Sequence, residues 1–209
     1  MKNKRIIALA SAGIAVVLAL GGTFAAKTVF AAESASITNG NTDTILHAMV
    51  DVEVMKVYKN SFYNDTGCTM ILPTGYVASD SIKGMYLAER HPLDSSNVYY
   101  TVSENVDAEA VKAMMNPDDY KERVEKKFKE TYGQEASVDS CKLTNTETDG
   151  CPTYKIELSC SAGDMKMEQL TYIIMADKTY TITYSQSADD ERMEEFKKSA
   201  ETIHMVFSE

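Results

Sequence analysis

Cys68, Cys141, Cys151 and Cys160 are the residues with the most chemistry to offer. Four thiols in one chain can pair oxidatively, hold a soft metal, or lie buried and inert. Structural zinc sites use close pairs such as C-x-x-C. Here the nearest two, Cys151 and Cys160, are nine apart, so metal binding is the weakest of the three readings. His47, His91 and His204 are widely separated, and none has a Cys, Asp or Glu at ligand spacing on a shared element. No G-x-S-x-G elbow frames a serine, and no cysteine sits in a local signature with a histidine. Asp118-Asp119 and Asp189-Asp190-Glu191 lack the Asp/Asn and Gly alternation of a calcium loop and fall where helices begin. The twelve methionines, among them Met114, Met115, Met165 and Met167, suit adaptable core packing better than Cu(I) ligation. We therefore expect no catalytic residue, metal or cofactor. If a pocket exists, aromatic strand residues near one sheet edge, Tyr99, Tyr180 and Tyr184, should line it.

The compartment bears on all of this. Lys2, Lys4 and Arg5 precede an uncharged run from Ile6 to Ala26, and Val29-Phe30-Ala31 offers small residues at peptidase spacing. A basic start, an apolar stretch and an A-x-A-like exit describe an export signal. Residues 1–32 are thus expected to be a cleaved signal peptide, with an uncleaved anchor through 6–26 as the rival. Both put residues 33–209 outside the cytoplasm, where an even cysteine count favours two disulfides. Without Lys2, Lys4, Arg5 and Lys27 the balance is 17 basic against 31 acidic residues, a net charge of −14. Such a surface repels phosphate backbones, so nucleic acid is a poor partner, whereas divalent cations or a basic protein are easier ones.

Residues 33–45 are small and polar and read as a flexible tether; 46–209 read as one domain large enough for a real core. Alternation marks a strand at Val50–Tyr58, Thr69–Leu72 reads as a strand ending in the Pro73-Thr74-Gly75 turn, and Met85–Ala88 and Val98–Val102 are two more, with His91–Asn97 as a loop. Asn116-Pro117-Asp118-Asp119 caps a helix that carries Tyr120, Val124, Phe128 and Tyr132 on one stripe and ends at Gly133. Ala108–Met115 forms a shorter helix before it. Gln169–Met175 and Thr179–Ser185 are two further strands, turning at Asp177-Lys178. A final helix is expected from about Ala188, capped by Ser187 and Asp190, with Met193, Phe196, Ala200 and Ile203 on one face and His204 in its last turn.

Between these lies a hairpin with arms Val138–Thr148 and Thr153–Cys160. Pro152 cannot donate to a ladder, which places Asp149-Gly150-Cys151-Pro152 in a four-residue loop. That register sets Cys141 opposite Cys160 and Leu143 opposite Leu158, at Cβ distances of roughly 4.5–5.5 Å. Cys141–Cys160 is then one expected disulfide and Cys68–Cys151 the second. A two-residue Asp149-Gly150 turn would shift the register and lose the pairing.

The order of elements, the Leu72-Pro73-Thr74-Gly75-Tyr76 segment after a strand, and the closing Tyr180-x-Ile182-Thr183-Tyr184 … Glu194-x-Phe196 pattern resemble the PsbP-like (DcrB-like) α/β/α sandwich. Many members carry Trp where this chain has Tyr76. The resemblance covers roughly residues 50–206 and implies an α+β fold, an antiparallel sheet flanked by helices, with a non-enzymatic binding or assembly role. The surfaces through which other members contact Ran or a photosystem have no matching residues here. The function expected is an exported, non-catalytic cell-envelope or secreted domain that binds a protein partner or small ligand. The alternatives are an enzyme of unrecognised type, with His91 and nearby acids at its centre, and a structural envelope protein held by its leader.

Overall fold

The computed structural model describes residues 66–103 and 108–207. The leader, the tether, the Val50–Tyr58 strand and His47 lie outside them. Nine strands and three α-helices are described: β1 (Thr66–Thr69), β2 (Tyr76–Ala78), β3 (Met85–Ala88), β4 (Asn97–Ser103), α1 (Ala108–Met114), α2 (Pro117–Tyr132), β5 (Ser137–Thr148), β6 (Cys151–Ala162), β7 (Met165–Met175), β8 (Thr179–Ser187), α3 (Met193–Ala200) and β9 (His204–Phe207). β2 to β8 form a seven-stranded antiparallel sheet in the order β2-β3-β4-β8-β7-β6-β5, and β1 pairs with β9 as a separate ribbon. The fold is the antiparallel α+β sandwich that the sequence implies.

Strict alternation gives the sheet two working faces. On β8, Tyr180, Ile182 and Tyr184 are fully buried in one core. That core is closed by Phe196 and Ala200 of α3 and by Cys68 and Met205 of the ribbon. On the opposite face, Ile156, Leu158 and Ile173 meet Val111 of α1 and Tyr120, Val124 and Phe128 of α2 in a second core. α2 is the helix the stripe demands. Asn116 caps it, its Oδ1 accepting from the Asp118 N–H at 3.1 Å, and Glu125–Lys129 closes at 2.5 Å. Tyr132, the stripe's last member, is only half-buried.

Three expectations need correction. The hairpin turns on Asp149-Gly150 alone, both at positive φ (48° and 81°), the mirror-image geometry that matches strand twist. Thr148 therefore pairs with Cys151 and Glu147 with Pro152, so Cys141 faces Leu158, not Cys160, and Cys160 faces Val138. Pro152 is tolerated because the turn-closing pair is the hydrogen-bonded one, so the next pair is not, and the Pro152 nitrogen points away from β5. On that far side pairing with β7 starts only at Thr153. Second, the strand before Pro73 ends at Thr69, leaving Met70–Leu72 irregular, and a short strand follows at Tyr76. Third, the last helix is shorter. Ala188–Asp190 form a 3-10 turn, and Glu191 at φ 55° breaks the path, so α3 begins at Met193. His204 is in strand β9 and not in a helix. Its Nδ1 lies 3.2 Å from the Asp149 carboxylate.

Candidate functional site

The segments that carry the family pattern converge. Gly75, at φ 82°, supplies the backbone conformation that lets the chain turn into β2 and aim Tyr76 inward. The Tyr76 ring packs edge-on to Phe196 at 5.9 Å, and Phe196 meets Tyr184 at 5.2 Å. The three rings come from β2, β8 and α3. They fix the helix on the sheet, with the Tyr184 hydroxyl 3.1 Å from Ser199 Oγ.

A polar network rims this cluster. Ser96 Oγ donates to Asp94 Oδ1, which leaves the Tyr76 hydroxyl to donate to Ser96 at 2.5 Å. Arg192 Nε lies 3.3 Å from the other Asp94 oxygen, and its guanidinium sits 5.7 Å over the Tyr76 ring. Arg192 also holds Glu195 at 2.9 Å, while its backbone N–H donates to Gln186 Oε1 at 2.6 Å. Ser95 donates to Asp190 at 2.8 Å, and the same carboxylate accepts the Ser187 N–H. Burial pushes the Tyr76 phenol up to about 12, with Asp94 adding to the rise while Ser96 and Arg192 oppose it. At neutral pH the phenol is a protonated donor. Arg192 meets Asp94 and Glu195, and Asp190 is held by a hydroxyl and a backbone N–H, which suits the cluster to fastening the 89–96 loop to the start of α3. It offers no free base or nucleophile.

Sequence reasoning missed Asp94, Ser96, Gln186 and Arg192. The available signal was Arg192 itself, one cation set between Asp189-Asp190-Glu191 and Glu194-Glu195. The tyrosines expected around a pocket do not meet. Tyr180 and Tyr184 are fully buried in the first core, whereas Tyr99 opposes Thr183 and so lies on the other face. On that face Thr179, Thr181, Thr183 and Ser185 of β8 are buried, with Gln169 donating to Ser185 at 2.9 Å and Thr171 to Thr183 at 3.2 Å. Asn97 joins this stripe through the register, and its buried Oδ1 has no hydrogen-bond partner.

His91 is half-buried in its loop and His204 exposed on β9. Among the described residues, no three His, Cys, Asp or Glu side chains gather closely enough to hold a metal ion, and no helix is long and apolar enough to cross a membrane. Met115 and Met167 are buried in the second core. No disulfide links the four cysteines in this structure. Burial pushes Cys160 up to about 12, with Asp139 and Cys141 contributing.

No curated protein matches the chain in sequence. The solution structure of cyanobacterial PsbP (CyanoP) from Synechocystis sp. PCC 6803 is similar, with 15% identity and a TM-score of 0.49. It covers 70% of this chain and 95% of that one. LpqN of Mycobacterium tuberculosis, described as involved in cell envelope biogenesis, is 8% identical with a TM-score of 0.44, covering 69% and 86%. A family model for PsbP matches residues 55–208, and on that match this chain belongs to the PsbP family.

Proposed function

We propose that this chain is an exported, non-catalytic domain that binds a basic protein partner at the cell envelope or in the secreted fraction. The observation that carries the reading is the closed Tyr76–Ser96–Asp94–Arg192 network. These side chains hold a loop against a helix, and the Asp94 carboxylate and Arg192 guanidinium neutralise each other. What is left for function is surface, and that surface is acidic: −14 once the leader is removed. Charge of this sign steers a basic partner and weakens with salt. The leader supports placement outside the cytoplasm.

The test is crosslinking of the tagged full chain in its native cells, followed by identification of attached proteins at low and high salt. A basic partner recovered in a salt-sensitive way is expected; an acidic partner, or none under any growth condition, overturns the reading. Sequencing of the native N-terminus should begin at Ala32 or Glu33, and soluble cytoplasmic protein starting at Met1 contradicts export. One observation favours a second reading, a small polar ligand: the hydroxyl stripe on β7 and β8 with the unpartnered Asn97 oxygen beside it. A ligand that shifts the Asn97 side-chain amide resonances would replace the protein partner as the main conclusion.

A further inference from the structure

The cysteines sort by sheet face. Cys151 and Cys160 lie nine positions apart on β6, an odd number, so their side chains leave opposite sides of the sheet. Cys151 packs in the first core beside Cys68, and Cys160 packs in the second, flanked by Cys141. A bond between the two groups would have to pass through the sheet. Of the three connectivities that four cysteines allow, only Cys68 with Cys151 and Cys141 with Cys160 respects the faces.

The two remaining pairs differ in reach. Cys141 faces Leu158 while Cys160 faces Val138 across the irregularity at Asp139. The two are diagonal neighbours, with Cα atoms roughly 7–8 Å apart, beyond the ordinary disulfide span of about 4.4–6.8 Å. Cys68 and Cys151 are free of any such register. Cys68 opposes Met205 in the ribbon. The Met205 N–H donates to the Asp149 carboxylate at 2.7 Å, and Asp149 stands two residues before Cys151. One hydrogen bond thus already ties the Cα partner of Cys68 to the turn that leads into Cys151.

We propose that Cys68 and Cys151 form a disulfide that clamps the β1–β9 ribbon onto the tip of the β5–β6 hairpin. With glutathione disulfide as oxidant, one protein thiolate attacks a glutathione sulfur and expels a glutathione thiolate. The second protein thiolate then attacks the mixed disulfide and expels another. One S–S bond is broken and one formed, and two reduced glutathiones take up the two protons. Burial, then Asp149 and Cys151, push the Cys68 thiol up to about 12. The clamp is therefore expected to close during folding faster than in the finished fold.

Presence of the bond in cells rests on the export reading; its geometry does not. The experiment is refolding of the reduced full chain in a glutathione redox buffer, alkylation, and tryptic mapping without reduction. Trypsin leaves each cysteine on its own peptide: 60–83, 130–142, 143–155 and 156–166. A linked 60–83/143–155 pair is expected. Cys68 or Cys151 recovered alkylated, or joined to Cys141 or Cys160, overturns the proposal. Reduction should lower Tm by about 5–10 °C, and the Cys68→Ala/Cys151→Ala variant should show no such response. Alkylation of intact native cells reports the compartment separately: reduced Cys68 there, with the linked pair in vitro, counts against export and leaves the clamp geometry standing.

Discussion

The two cores, one on each side of the sheet, are assembled in different ways. The second is built from one continuous stretch of chain, Val111 to Ile173: two helices, then a hairpin and its neighbouring strand. The first gathers Cys68, Tyr76, Val98, Tyr184, Phe196 and Met205 from nearly the whole described chain. Closing long loops costs entropy before any contact repays it. The second core can therefore form from local contacts, whereas the first depends on a few tie points that bring distant segments together. Phe196, the Asp94–Arg192 pair and Asp149 are those ties.

The strongest way to break this comparison is to empty each core in turn. Phe196 and Phe128 are both fully buried, and replacing either by Ala should cost about 3–5 kcal/mol. The consequences should differ in place. Phe196→Ala should expose the amides of β1, β9 and α3 to hydrogen exchange while β5 to β7 stay protected; Phe128→Ala should deprotect α2 and β5 as well. If Phe196→Ala unfolds every strand together, the molecule has one cooperative core and the distinction fails. A smaller effect is expected from Asp94→Ala. The carboxylate and its Arg192 partner are 14% and 25% exposed, and removing it leaves the guanidinium with Glu195 alone and takes away the acceptor of the Ser96 hydroxyl. A loss of about 1.5–3 kcal/mol in urea unfolding follows, with the 89–96 loop loosened first.

How much was legible follows the same division. α2 was readable to the residue, since its cap, its Pro117 start, its stripe and its Gly133 stop all lie within the helix's own sequence. β8 is readable from its alternation of Tyr180, Ile182 and Tyr184 with threonines, and β3, β4 and β7 as short runs rich in apolar and aromatic residues bounded by turn residues. The family pattern led to the sandwich because Tyr76, Tyr184 and Phe196 are spaced by the fold they share. The register of the β5–β6 hairpin does not follow from Pro152's missing N–H, since the side on which its nitrogen points decides the matter. β9 looked helical because Ile203 continues a helical period, and what makes it a strand is β1, more than a hundred residues away. The Arg192 network was invisible for the same reason. Its members lie on three segments that no local pattern links.

On the locally built side, the cap offers a further test. Asn116→Ala leaves the α2 N-terminus without its side-chain acceptor and should cost about 1 kcal/mol, read as a shift in urea midpoint with unchanged slope. Asn116→Asp should retain most of that stability, because Asp caps as well and adds charge at the positive dipole end. A cap loss as large as that of Asp94→Ala would mean that the second core leans on its helix end more than its local contacts imply.

The smallest effect, and the most specific to the ribbon, concerns pH. The Met205 N–H, and after it His204, hold the Asp149 carboxyl below its ordinary value of 3.8. A carboxylate with a depressed folded value stabilises the fold above its unfolded value, and that contribution fades as pH falls through the folded one. Asp149→Asn isolates the charge: Asn adopts the positive φ of 48° as readily as Asp does, so the turn survives. Wild type should therefore exceed the variant in stability near pH 5, and the gap should close progressively as the pH drops below 3.8. Urea midpoints for both proteins from pH 5 downward provide the measurement. A gap that stays constant to the lowest pH would mean that Asp149 acts through the turn alone and that the ribbon is tied to the hairpin by something other than this carboxylate.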